Sequence, residues 1–224
     1  MFSEFAKVSS ATWGVIVALL LVGIVVFAVS KDKKRWTARM LANGALCIAL
    51  STVLSFITLY KMPQGGSITL ASMLPMFLFA YAYGVGPGML VGAAYGFVQF
   101  LQGGLYFVHP VELLLDYPLA FAMLGLAGLS SKFSDQWGMI PGIILGTFGR
   151  FVCAFLSGLI FFGMYAPEGQ NVVIYSMVYN GLYLVPEAII CIVLMSGNTA
   201  RSRKMRLAHL YSRYPYYSGD FPKT

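Results

Sequence analysis

Glu112 and Asp116 lie four residues apart in LYFVHPVELLLDYPLA (residues 105–120), among apolar residues and flanked by Tyr106, His109 and Tyr117. A carboxylate at membrane depth costs about 2.5–3.5 kcal/mol on insertion scales, so it requires a partner or a task. Aromatic rings around such a group are the parts needed to hold an organic cation. The acid supplies charge and hydrogen bonding, and each ring adds roughly 0.5–2 kcal/mol of cation–π attraction. Asp116 is the carboxylate expected to do this. Further polar groups inside apolar runs are Arg150, Glu187, Tyr175, Ser176, Tyr179 and Asn180. Arg150, Ala154, Gly158 and Phe162 recur every fourth residue and so share one slowly drifting helical face. The simplest role for Arg150 is to neutralise Glu187 or Asp116, because an unpaired buried ion is costly. His109 precedes Pro110 and has no second His or Cys nearby, so it reads as a loop hydrogen-bonding residue rather than a ligand. The belt of interfacial aromatics claims Tyr60, Tyr81, Tyr83 and Trp137.

The elements that must position these groups are membrane helices. Of 224 residues, 58% are hydrophobic and 10% charged, and the mean hydropathy is +0.76. A water-soluble domain carries about 25% charged residues, so this is an all-α polytopic membrane protein with no room for an attached soluble catalytic domain. Cys47, Cys153 and Cys191 are scattered through apolar runs, which argues against disulfides and against a metal site. The net charge of +7 is concentrated in residues 31–39 and 201–213. That pattern fits loops facing anionic lipid better than nucleic-acid binding.

Seven spans are predicted. The first, residues 11–30, is preceded by Glu4 and Lys7 and followed by SKDKKR, so it reads as a retained anchor rather than a cleaved signal. The others are placed at about 37–60, 68–83, 88–101, 110–129, 139–163 and 172–195. KMPQGGS (61–67) and GVGPG (84–88) break the chain between spans. Ala38, Ala42, Ala45 and Ala49 form one small-residue face, and Gly88, Gly92 and Gly96 another. Such faces let a second helix approach closely, within the bundle or outside it. The tail from Gly197 is expected to be loosely ordered on the inner surface. The domains are thus residues 1–36 (extra helix and basic loop), 37–196 (six-helix membrane domain) and 197–224 (basic tail). With the N-terminus outside, residues 31–39, 84–88, 130–137 and 197–224 fall inside, and the basic residues follow, Lys61 being the main exception.

The chain shows no GxxxxGK[ST] phosphate loop and no HExxH, and two His residues are too few for an assembled hydrolytic triad. It also lacks matched halves with interrupted helices, a common mark of secondary transporters. A binding protein without an engine implies a partner that supplies one.

KMPQGGSITLASMLP (61–75), HPVELLLDYPLAFAMLGLAGL (109–129), GRFVCAFLSGLIFFGMYAPEG (149–169) and YSMVYNGLYLVPE (175–187) resemble the thiamine-specific substrate-binding (S) component of energy-coupling-factor transporters. The resemblance covers residues 38–195. It implies a six-helix S-component bundle, here with one additional N-terminal helix. Such a bundle captures thiamine from outside and docks on a transmembrane coupling subunit driven by two ABC-type ATPases. Docking would use the small-residue face at Ala45 and Ala49. Ligand binding would fall to Asp116 and Tyr117, with Tyr106, Arg150, Gly158, Phe162, Tyr175, Ser176 and Asn180 lining the site. No cofactor, metal or nucleic acid is implied, and ATP hydrolysis belongs to the partners. The chain departs from the family pattern at Ala154, where members often place a His, and at Phe162 and Gly66, where some have Trp; Asp116 is Glu in some. A thiamine precursor or another vitamin is the rival ligand. A membrane scaffold with purely structural polar groups is the rival of another class.

Overall fold

The computed structural model describes residues 36–63, 65–103, 109–132 and 139–213, and the first predicted span lies outside them. Besides a short 3₁₀ turn (Gly163–Tyr165), six helices and one hairpin are present among the described residues. They are α1 (Ala38–Phe56), β1 (Thr58–Lys61), β2 (Ser67–Thr69), α2 (Leu74–Tyr83), α3 (Val85–Gln102), α4 (in four pieces from Pro110–Leu114 to Met123–Lys132), α5 (Met139–Phe161) and α6 (Val172–Arg213). Among the described residues, four stretches are long and apolar enough to cross a membrane: Ala38–Phe56, Pro110–Ser131, Met139–Phe161 and Val172–Ser196.

The sequence reading needs correction at the first break. Residues 58–69 do not extend the second and third spans into a loop. They form an antiparallel hairpin in which Thr58 pairs with Thr69, Tyr60 with Ile68 and Lys61 with Ser67. Thr, Ile and Tyr favour strand, and Gly65, at φ 104°, supplies the left-handed turn. The predicted span at 68–83 therefore shrinks to α2, a 10-residue helix of about 15 Å, half the thickness of a bilayer core. It survives by burial: Met76, Phe77, Phe79 and Ala80 are each 2% exposed or less. The break at 84–88 reduces to Gly84 (φ 96°), and α3 begins at Val85.

The glycine stripe of α3 performs as predicted. A Cβ at Gly92 would strike the Phe121 carbonyl, and one at Gly96 would lie 2.5 Å from the Tyr117 carbonyl. The α3 backbone therefore rests directly on α4. There the chain is π-helical over Leu115–Leu119, with Pro118 inside and the Ala120 N–H reaching back five residues to Leu115 O. Proline supplies no N–H to the regular ladder, and the wider π turn absorbs the loss. Beyond Ala120–Ala122 the rod tightens to a 3₁₀ helix over Met123–Lys132.

At the other end of the chain, α6 does not stop at the predicted boundary near residue 195. It continues to Arg213, where loosely ordered chain was expected. Between Gly197 and Pro215 the sequence holds no Gly or Pro and is rich in Ala, Arg, Met and Leu, all good helix formers.

The predicted neutralisation of Glu187 by Arg150 also fails. Glu187 is 1% exposed and takes two hydroxyls on one oxygen, from Thr69 at 2.6 Å and Ser72 at 2.8 Å. This contact ties α6 to the base of the hairpin and the start of α2. Removing a hydrogen bond to a buried carboxyl costs about 1.5–3 kcal/mol. Thr69→Val should therefore lower the thermal unfolding midpoint clearly. Thr58→Val, which removes an exposed hydroxyl bonded to the Ser55 carbonyl, should change it little. Equal midpoints in detergent would show that the Glu187 contact does not hold the hairpin.

Candidate functional site

The hairpin, α3, α4, α5 and α6 enclose a cavity of about 560 Å³. That lies within the 300–1,000 Å³ typical of small-molecule sites. Asp116 and Tyr117 reach it from the π turn of α4. Arg150, Ala154 and Gly158 line it from α5, as their four-residue spacing requires, with Phe162 just past the end of that helix, and Tyr175, Ser176, Tyr179 and Asn180 line it from α6. Eight of the nine sequence-predicted binding residues thus converge on one space. The ninth, Tyr106, lies outside the described residues.

Asp116 accepts a hydrogen bond from Ser157 Oγ at 2.7 Å. Among the described residues it forms no ion pair with Arg150. The guanidinium lies instead over the Phe121 ring, 4.1 Å from its centroid. Both partners predicted for Arg150 are thus replaced: hydroxyl groups serve the two acids, and a π face serves the cation. His109 behaves as the sequence indicated. Its Nδ1 accepts from Val111 N at 3.1 Å, and Glu112 Oε2 accepts from His109 N at 3.1 Å, together capping the start of α4.

The α5–α6 contact is equally tight. A Cβ at Gly158 would collide with Ser176 Oγ, which donates to Phe155 O at 2.8 Å. Asn180 Nδ2 donates to Ser176 O at 2.9 Å and Ala154 O at 3.3 Å. Small residues at 154 and 158 let these polar groups satisfy one another across the interface.

Several lining residues were not singled out from sequence: Gln99, Gly103, Phe121, Tyr165 and Tyr183; Gly66, noted from sequence as a departure from the family pattern, and Lys61 also line the cavity from the hairpin. Tyr183 had a usable signal, since it lies one helical turn beyond Tyr179 on the face that already carries Ser176 and Asn180. Gly66 packs so closely on Tyr183 that a Cβ there would come within 2.7 Å of the ring. The space a larger residue at 66 would need is filled from α6.

A helical bundle with four membrane-length stretches, closing on a cavity that holds a carboxylate among aromatic rings, defines a multi-pass membrane protein built to bind a small molecule. The family model described as "Thiamine transporter protein (Thia_YuaJ)" matches residues 41–206, and the chain belongs to that family. The thiamine transporter ThiT of Bacillus subtilis (strain 168) is 36% identical over 164 residues, which cover 67% of this chain and 85% of the relative. ThiT of Lacticaseibacillus paracasei is 31% identical over 137 residues, covering 55% and 68%. The solved structure of ThiT from Listeria monocytogenes has a TM-score of 0.66 at 27% identity, covering 74% of this chain and 95% of that one.

Gly158→Ala should separate α5 from α6 at the cavity wall, since overpacking costs about 1–3 kcal/mol. Gly181→Ala adds its methyl in open space and should be neutral or slightly stabilising. Thermal unfolding of both variants checks this. A Gly158→Ala midpoint equal to that of the unaltered chain would contradict the close approach.

Proposed function

We propose that this chain captures thiamine from outside the cell membrane and delivers it across as the S component of an energy-coupling-factor transporter. The observation that carries the reading is Asp116, a carboxylate on the wall of a cavity of about 560 Å³, bonded to Ser157 and without an ion-pair partner among the described residues. The cationic thiazolium would lie near it, among Tyr117, Phe162 and the α6 tyrosines. Tyr175 and Asn180 would hydrogen-bond the pyrimidine. The family membership and the thiamine transporters it resembles support this choice over another vitamin or a precursor.

Energy would come from a transmembrane coupling subunit carrying two ABC-type ATPases. The docking surface would be α1. Ala38, Ala42, Ala45 and Ala49 are all exposed, while Met40, Gly44 and Ser51 turn inward. Among the described residues no helix covers this small-residue face, which suits it to a helix from another chain. The distribution of basic residues supports a cytoplasmic C-terminus and a cavity that opens outward.

Asp116→Asn should weaken thiamine binding ten-fold or more, a loss of at least about 1.4 kcal/mol, because it removes one side of a desolvated charge pair. Calorimetric titration of the purified variant reads this directly. Unchanged affinity would reject the placement of the thiazolium beside Asp116.

A further inference from the structure

Asn180 and Tyr183 stand side by side on the α6 wall of the cavity, 5% and 7% exposed. Their hydrogen bonds fix which way each group points. Asn180 Nδ2 faces Ser176 O at 2.9 Å and Ala154 O at 3.3 Å, two backbone carbonyls that only accept. Turning the amide over would set its oxygen against both, so the NH₂ must lie on that side. Ser176 Oγ, 3.3 Å from the same nitrogen, spends its own proton on Phe155 O and can only accept there. Both amide hydrogens are thus used within the protein. Asn180 Oδ1 in turn accepts from Tyr183 Oη at 2.9 Å, which uses the one phenolic proton. What remains of the pair is lone pairs alone, on Oδ1 and on Oη.

We propose that Asn180 and Tyr183 form a wall that accepts but does not donate, and that Tyr183 is thereby a specificity-determining residue. The wall selects ligands presenting an amino group there over ligands presenting a carbonyl. An amine offers hydrogens to both oxygens. A carbonyl in the same place sets its lone pairs against two acceptors on buried side chains, where unmatched polar groups are penalised heavily. The inference rests on the thiamine reading, since the aminopyrimidine ring supplies such an amine. Tyr183 is also held as a platform, because the missing side chain at Gly66 leaves its ring packed against the hairpin.

The test titrates the purified full chain with thiamine and with the analogue whose exocyclic pyrimidine amine is replaced by a carbonyl oxygen. The unaltered chain should prefer thiamine by ten-fold or more. Tyr183→Phe keeps the ring against Gly66 and removes one of the two acceptors, so the preference should shrink several-fold. Equal affinities for the two ligands in the unaltered chain, or an undiminished preference in a folded Tyr183→Phe, would overturn the proposal. Saturable binding of neither ligand would overturn it together with the thiamine reading, whereas equally tight binding of both would sink this inference alone. Equal affinities in the unaltered chain overturn the proposal even if Tyr183→Phe folds poorly.

Discussion

Asp116 sits where a charge is costly, and the helices around it are shaped to hold it there. The π turn of α4 carries it, and that turn exists because Pro118 supplies no N–H to a regular ladder. The turn is wider than an α-helical one, yet α3 still packs on it, because Gly92 and Gly96 let backbone meet backbone at the Phe121 and Tyr117 carbonyls. From the other side Ser157 of α5 reaches the carboxylate at 2.7 Å. Three helices thus set one side chain, and a substitution in any of them moves it.

The same rule, that polar groups in an apolar bundle must find partners, governs the rest of the cavity. Arg150 rests on the Phe121 ring rather than on an acid. Glu187 is held by two hydroxyls and so anchors the hairpin whose Gly65, Gly66 and Ser67 close one side of the site. Binding geometry therefore depends on a contact that does not line the cavity. On the outside, α1 presents a row of alanines that no other described residues cover. Helices inside the bundle use their small residues to approach one another, as Gly158 does for Ser176. Among the described residues those of α1 have no such neighbour, which supports the docking surface proposed for them.

Much of this was legible in the chain itself because it is written in local spacing. The four-residue repeats of α3 and α5 and the cluster from Tyr175 to Asn180 fix faces without knowledge of tertiary contacts. The hairpin was missed because its two strands span only four and three residues and merge into apolar runs that also suit helix. The partners of Arg150 and Glu187 were misassigned for a different reason. Charge complementarity offered an acid for the base, whereas the fold offered Thr69 and Ser72, about 115 residues away in sequence, and a ring face. Tyr183 was overlooked because a tyrosine in a membrane helix resembles belt or core until Gly66 is seen lying against it. The continuation of α6 past Ser196 was masked by a basic composition that also describes a solvated tail.

The most direct test of a carboxylate placed to receive a cation compares thiamine with a neutral isostere in which carbon replaces the charged thiazolium nitrogen. Calorimetry on the purified chain should find the neutral compound bound at least ten-fold more weakly, with Asp116→Asn removing most of that difference. Equal affinity for the charged and the neutral ligand would contradict the account, because Asp116 would then contribute nothing that depends on its charge.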